Sequence, residues 1–154
     1  TLERLMVHYA AGTTLEATYS NSGTTTVTAV LQMGKATLAG SGTTVLTSGG
    51  ELDLSITHDR SLGGSHTLVN HGTATWGPMA STSFAIGSGA ELENRGTFIV
   101  QNDRPMTGSG VFRNFGVLRK ETAVGMSSWS VCYVQDSGGS VDEQSGSFEF
   151  TAIC

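Results

Sequence analysis

The sequence predicts an all-β fold in which short parallel strands stack rung upon rung as a solenoid. Three observations favour this fold. Glycine is frequent, with 21 residues in a chain of 154, whereas proline occurs only twice. Hydrophobic residues make up 38% of the chain, more than a disordered tract contains, and they interrupt the small polar residues at short intervals. One motif also recurs along the chain, as expected of a repeat protein.

The recurring motif is a glycine turn, a short apolar segment, Asn-x-Gly and a second short strand. Clear copies span residues 64–76, 87–100 and 108–118, and weaker copies begin near residues 12, 40 and 138. The residue before x-Gly marks each copy, and the six markers are Asn21, Thr47, Asn70, Asn94, Asn114 and Gln144. Their mean spacing is about 25 residues, within the range of solenoid repeats, so the chain predicts about six to seven rungs.

Each rung is expected to bury one face of its strands. Strand alternation turns every second side chain toward the solenoid axis, for example Leu92, Phe98 and Val100. One rung cannot bury this face alone, so neighbouring rungs must stabilise each other. We therefore predict a single β-solenoid domain over residues 1–154, with residues 1–11 as either an N-terminal cap or the first rung.

The marker residues predict a hydrogen-bonded ladder at one corner of the solenoid. Stacked amide side chains can donate to and accept from the equivalent side chain in the next rung. The predicted ladder residues are Asn21, Asn70, Asn94, Asn114 and Gln144.

The repeat resembles the parallel β-helix rungs of bacterial surface proteins, namely autotransporter passengers and filamentous-haemagglutinin-like adhesins. The similarity lies in the Gly-Ser-Gly and Asn-x-Gly elements and covers most of residues 40–150. The resemblance implies a right-handed parallel β-helix that is exported from a bacterium to the cell surface or the extracellular space. It implies no particular ligand, because the rungs define the fold and a fold does not specify a function.

The two cysteines predict a disulfide, with two free thiols as the alternative. Cys132 and Cys154 are separated by close to one rung in the sequence. Stacked residues in adjacent rungs lie about 4.8 Å apart, which is within the range of disulfide-bonded Cα atoms. A bond here would clamp the C-terminal rung and would indicate an oxidising, extracellular compartment.

Charge and residue clustering exclude several functional classes. The net charge is −5 with no basic patch, which argues against nucleic-acid partners. No apolar run approaches the roughly 18 residues that a membrane span needs. We expect no metal or cofactor, because His66 and His71 would face opposite sides of a strand without a cluster of other ligands.

No catalytic residue is predicted. The carboxylate pairs Glu51/Asp53 and Glu91/Glu93 each share one strand face, but they occupy different positions relative to their markers. Outward carboxylates that keep the strands soluble explain them more simply. A carbohydrate-binding or polysaccharide-cleaving β-helix module is the alternative. An ice-binding protein is less favoured, because the Thr pairs do not recur in every rung.

The predicted function is therefore that of a non-catalytic, secreted structural solenoid, either a fibre subunit or a surface adhesin segment. A fibre would form by head-to-tail stacking of apolar ends, with Leu2, Leu5 and Met6 at one end and Phe148 and Phe150 at the other. A surface glycan or protein ligand would instead bind at lateral loops. The candidate loops are residues 57–60, 102–105 and 121–128.

Overall fold

The computed structural model describes residues 1–7, 16–80 and 82–154, which contain 19 β-strands and no helix. The strands are β1 (Leu2–Val7), β2 (Ala17–Asn21), β3 (Thr24–Met33), β4 (Ala36–Gly40), β5 (Thr43–Leu46), β6 (Glu51–Asp53), β7 (Arg60–Leu62), β8 (Thr67–Asn70), β9 (Thr73–Trp76), β10 (Phe84–Ile86), β11 (Glu91–Asn94), β12 (Thr97–Val100), β13 (Met106–Thr107), β14 (Val111–Asn114), β15 (Val117–Lys120), β16 (Met126–Trp129), β17 (Cys132–Gln135), β18 (Ser140–Glu143) and β19 (Ser147–Phe150).

The strands form the three faces of a parallel β-solenoid with about six turns, so the predicted all-β solenoid is confirmed. The first face contains the beginning of β3 followed by β5, β8, β11, β14 and β17. The second face contains β1, the end of β3, and then β6, β9, β12, β15 and β18. The third face contains β2, β4, β7, β10, β13, β16 and β19.

Columns of equivalent inward side chains build the core. On the first face, Leu68, Leu92 and Phe112 are register partners, and all three are fully buried. On the third face, Leu62 pairs with Ile86, and both are buried. The strands alternate between buried and partly exposed positions, which is the period-two pattern that the sequence predicts.

Two of the three corners are tight turns that need glycine. The corner between the first and second faces, which we call the Asn corner, carries Asn70-x-Gly72, Asn94-x-Gly96 and Asn114-x-Gly116. A Cβ atom on Gly96 would lie 2.1 Å from the Gly72 carbonyl oxygen, so no other residue fits this stacked turn. At the corner between the third and first faces, Gly64 and Gly89 adopt φ of 65° and 82°, which glycine tolerates best.

The third corner, between the second and third faces, is built differently, and we call it the loop corner. It consists of the segments that follow β6, β9, β12, β15 and β18. Longer connections occur here, and they carry the polar and exposed apolar groups described below. Of the predicted lateral loops, residues 57–59, 102–105 and 121–125 fall at this corner, whereas residue 60 belongs to β7 and residues 126–128 belong to β16.

At the N-terminal end, Leu2–Val7 forms a strand of the second face that pairs with β3. The remainder of the segment that was predicted to be a cap or first rung, residues 8–11, lies outside the described residues.

Candidate functional site

The Asn corner holds a continuous ladder of buried amides. Asn70 Nδ2 donates to Asn94 Oδ1 at 2.9 Å, and Asn94 Nδ2 donates to Asn114 Oδ1 at 2.8 Å. Asn114 Nδ2 then donates to Gln135 Oε1 at 3.2 Å. The three asparagines are fully buried, and each Nδ2 also donates to a carbonyl in the following rung. This ladder joins four successive turns through side chains as well as backbone.

Two of the predicted ladder residues, Asn21 and Gln144, do not belong to this ladder. Asn21 ends β2 on the third face, where its Nδ2 donates to Gly23 O and Thr25 Oγ1. Gln144 follows β18 at the loop corner and donates to Asp142 Oδ2 at 3.0 Å. In the earlier turn, the ladder position is occupied by Leu46, which pairs with Asn70.

The ladder residue that follows Asn114 is Gln135, not the predicted Gln144. Gln135 pairs with Asn114 and lies 21 residues after it, whereas Asn94 lies 24 residues after Asn70. Gln135 was missed because its turn contains an additional residue before the glycine pair, so the x-Gly signal is absent. The turns of the solenoid are therefore shorter than the spacing of about 25 residues that the predicted markers give.

The loop corner contains a buried lysine. Lys120 ends β15 with its side chain fully buried, and its Nζ lies 2.8 Å from each of three acceptors: Asn102 O, Asp103 Oδ1 and Ser127 Oγ. Asn102 is also buried and donates to the Trp76 and Gly77 carbonyls. One ammonium group thus connects the loop after β12 to β16.

These contacts correct part of the lateral-loop prediction. Asn102, Ser127 and Arg60 were assigned to lateral excursions, but all three are buried. Ser127 lies within β16 and Arg60 begins β7, so both belong to the rung. At the loop corner, backbone carbonyls accept hydrogen bonds from Asn102, from Ser127 and from one nitrogen of Arg60, which accommodates these side chains inside the rung.

Arg60 is a second buried cation at this corner. Its Nη2 donates to the carbonyls of Ile56 and His58, while Nε and Nη1 have no hydrogen-bond partner among the described residues. Burial lowers the pKa of Arg60 to about 10, and the carboxylates of Asp53 and Asp59 act in the opposite direction. A groove of about 170 Å³ passes this side chain, with Glu16 and Asp59 among its lining residues.

A larger open groove, of about 410 Å³, runs between the loops of the loop corner. Its lining residues are Pro78, Ala80, Gln101, Asn102, Asp103, Arg104 and Ala123. Met79 and Val124, which neighbour this groove in the sequence, are 68% and 84% exposed. The groove therefore has a polar lining and two exposed apolar side chains beside it.

The outward carboxylates lie on two different faces. Glu51 pairs with Thr73 on the second face, whereas Glu91 pairs with Thr67 and Val111 on the first. Glu91 accepts from Arg113 at 2.7 Å. Burial would raise the pKa of Asp53, but hydrogen bonds from Ser55 and Gln32 hold it below its ordinary value. The two carboxylate pairs are thus not brought together.

His66 and His71 differ in environment. His66 is fully buried, and its Nε2 lies 3.0 Å from Thr44 Oγ1. Burial lowers the pKa of His66, and the nearby Ala39 backbone acts in the opposite direction, while its Nδ1 has no hydrogen-bond partner among the described residues. His71 is exposed at the Asn corner. Within residues 1–7, 16–80 and 82–154, no group of three or more His, Cys, Asp or Glu side chains could hold a metal ion.

The predicted disulfide is present in the C-terminal rung. Cys132 and Cys154 are bonded, with their Cα atoms 5.7 Å apart. After β19 the chain returns to the first face, where Ile153 pairs with Tyr133. Backbone bonds from Tyr133 N to Ala152 O, at 2.9 Å, and from Cys154 N to Tyr133 O, at 3.2 Å, hold this tail beside β17.

The same rung leaves apolar side chains partly open. Val141 occupies the inward position after Leu118 but is 40% exposed. Phe148 and Phe150 pack on Trp129, with ring centroids 5.2 and 5.8 Å apart, and are only partly buried. Among the described strands, β18 pairs with β15 alone and β19 pairs with β16 alone.

At the opposite end, the predicted assembly residues point in different directions. Leu5 pairs with Leu31 and packs against the core, and Leu2 pairs with Val27. Met6 pairs with the partly exposed Gln32 and lies on the outer surface, so it is not part of the apolar end. Met6 lies on the opposite face from Leu5 because both belong to β1, and adjacent residues of a strand alternate between its faces.

No helix in the described part of the chain is long and apolar enough to cross a membrane. Comparisons with protein-family models, with curated proteins and with solved structures found no match.

Proposed function

We propose that the protein is a non-catalytic extracellular structural element, a β-solenoid subunit that forms fibres by head-to-tail stacking. The observation that carries this proposal is the open edge of the last described rung. Within the part of the chain that the structure describes, β18 and β19 each have one unpaired edge, and inward side chains such as Val141 are partly exposed there.

An open rung of this kind favours addition of another rung. Unpaired strand edges present N–H and C=O groups that another strand can satisfy, and natural proteins usually cover such edges. Covering Val141, Phe148 and Phe150 would also remove apolar surface from water. A second copy has the matching strand direction, and such heterologous contacts generate open filaments when they do not close into a ring.

The disulfide supports an extracellular location. Cys132 and Cys154 are joined, and such bonds persist in oxidising compartments. The paired charges on the lateral faces support a structural role. Arg113 pairs with Glu91, and Arg119 pairs with Asp142 at 2.9 Å, so these groups bridge neighbouring rungs.

Sedimentation velocity over a range of concentrations tests the fibre proposal. We expect the wild-type protein to associate as its concentration rises, and Val141→Lys to weaken this association at least tenfold. Val141 is preferable to Phe148 or Phe150 as the test position, because both phenylalanines pack on Trp129 and support the rung itself.

Val124→Lys is the matched control. Val124 is 84% exposed in the segment after β15, away from the edges of β18 and β19. It makes the same Val-to-Lys change at a side chain that the proposed contact does not cover, so association should persist. A wild-type protein that stays monomeric at every concentration would contradict the fibre proposal.

A surface adhesin segment is the second candidate function, and the loop corner favours it. The open groove of about 410 Å³ and the exposed side chains of Met79 and Val124 offer a lateral surface for a glycan or protein ligand. A monomeric protein in the sedimentation experiment would favour this form over the fibre.

A further inference from the structure

We infer that a second copy docks its β1 strand beside β18, in the register that places Leu5 of one copy on Val141 of the other. This inference rests on the proposed head-to-tail stacking and specifies which strands meet and how they align.

The register follows from one unbroken inward column on the second face. Its members, each the register partner of the next, are Leu5, Leu31, Leu52, Ala74, Phe98, Leu118 and Val141. The four residues from Leu31 to Phe98 are fully buried, as is Leu118, whereas the two end members are only partly covered. Stacking Leu5 on Val141 continues this column without a change of register.

The disulfide-held tail makes the two ends complementary. Beyond β17, Ile153 already begins the next first-face strand by pairing with Tyr133. Among residues 1–7, 16–80 and 82–154, no strand continues that rung onto the second or third face. The N-terminal end supplies both, because β1 lies on the second face and β2 on the third. The tail of one copy with β1 and β2 of another therefore completes one composite rung.

Side-chain sizes fit the same alignment on the third face. The inward column there runs through Ala17, Ala36, Arg60, Phe84, Met106, Trp129 and Phe150. Stacking would set the small Ala17 against the large, partly exposed Phe150. A large side chain stacked on a small one fills the space between rungs without overpacking.

Charges on the outer surface are also compatible with this alignment. Arg4 and Met6 alternate with Leu5 and would lie beside Ser140 and Asp142. The exposed guanidinium of Arg4 would then approach the carboxylate of Asp142. On the inner side Glu143 would lie beside Val7, and its carboxylate already accepts the Phe148 N–H at 2.6 Å.

Cysteine cross-linking between separately purified variants tests the register. The matched pairs are Arg4→Cys mixed with Ser140→Cys, and Met6→Cys mixed with Asp142→Cys. Their Cα atoms should lie about 4.8 Å apart, within disulfide range. One partner carries a size tag, the mixtures are exposed to a mild oxidant, and heterodimers are counted on non-reducing gels.

The same four variants, mixed the other way, are the controls. Arg4→Cys with Asp142→Cys, and Met6→Cys with Ser140→Cys, are offset by two residues, which places the Cα atoms about 8 Å apart. We expect matched mixtures to give at least tenfold more heterodimer than mismatched ones. Equal yields, or a preference for mismatched pairs, would overturn the register.

This result is separable from the test of the fibre proposal. If sedimentation shows association but matched pairs do not cross-link, the inferred register is wrong while head-to-tail stacking stands. If sedimentation shows no association, the fibre proposal itself fails.

Discussion

At the scale of single residues, the buried polar side chains are the least expected feature of this core. Lys120 is accommodated because three oxygen acceptors surround its ammonium group at 2.8 Å. His66 is accommodated by a hydroxyl partner, Thr44, in the neighbouring rung. Both depend on groups brought together from different rungs, since a buried charge or donor without partners is costly.

His66 predicts a pH dependence of stability. Its folded-state pKa is lowered by burial, so below its ordinary pKa of 6.5 the unfolded chain binds a proton that the folded protein does not. The free energy of unfolding should therefore fall as the pH decreases through 6.5, so that it is lower at pH 5.5 than at pH 7.5.

Urea unfolding of wild type and His66→Gln at the two pH values measures this contribution. The variant should lose less stability on acidification than wild type. His71→Gln, which replaces an exposed histidine, is the control and should behave like wild type. An identical pH response in His66→Gln and wild type would contradict the assignment.

At the scale of elements, the three corners of the solenoid differ in turn length and in the contacts that stabilise them. The Asn corner and the corner between the third and first faces are tight, repeated turns that fix the register from rung to rung. The loop corner varies in length, and a polar network anchored on Lys120 and Asn102 holds it together. The longest connections of the solenoid are therefore concentrated at one corner.

The amide ladder predicts a strong dependence on its middle member. Asn94→Ala would leave Asn114 Oδ1 and the Val117 carbonyl without their donor in a buried site. We expect a loss of about 2 to 3 kcal/mol in the free energy of unfolding, measured by urea denaturation.

Asn21→Ala provides the comparison, because Asn21 is the same residue type but lies outside this ladder and is partly exposed. Its loss should be below about 1 kcal/mol. Equal losses in the two variants would show that the ladder adds nothing beyond the side-chain hydrogen bonds of an asparagine outside it.

At the scale of the whole molecule, stability is shared between neighbouring turns rather than concentrated in one centre. Aromatic packing concentrates toward the C-terminal end, where Trp129 contacts Phe98, Phe112, Phe148 and Phe150. The disulfide and this cluster connect the last described rung to the turn before it.

The disulfide should therefore stabilise the C-terminal rung. Cys132→Ser/Cys154→Ser removes a cross-link that spans 22 residues and should lower the free energy of unfolding by about 3 kcal/mol. Hydrogen exchange should show the largest loss of protection at the amides of Tyr133 and Cys154, which bond across the bridge.

Amides in the early rungs, such as Thr67 N, which bonds to Gly42 O, serve as the internal control and should change little. Unchanged protection at Tyr133 and Cys154 in the double serine variant would contradict the clamping role.

The sequence by itself determined the solenoid, the disulfide and the stacking of Asn70, Asn94 and Asn114. These features are local or periodic. The spacing of apolar residues indicates the alternation of strand side chains, and tight turns require glycine at fixed positions. The cysteines could be paired because their separation is close to one rung. The repeat was sufficient for each of these predictions.

Only the tertiary structure decided which residues occupy each column. Gln135 completes the ladder in place of Gln144, and Met6 lies outside the apolar end. Turn lengths vary from rung to rung, and a one-residue shift moves a side chain to the opposite face of its strand. The burial of Lys120 likewise depends on acceptors from a separate rung and from β16, which no local pattern in the sequence could place together.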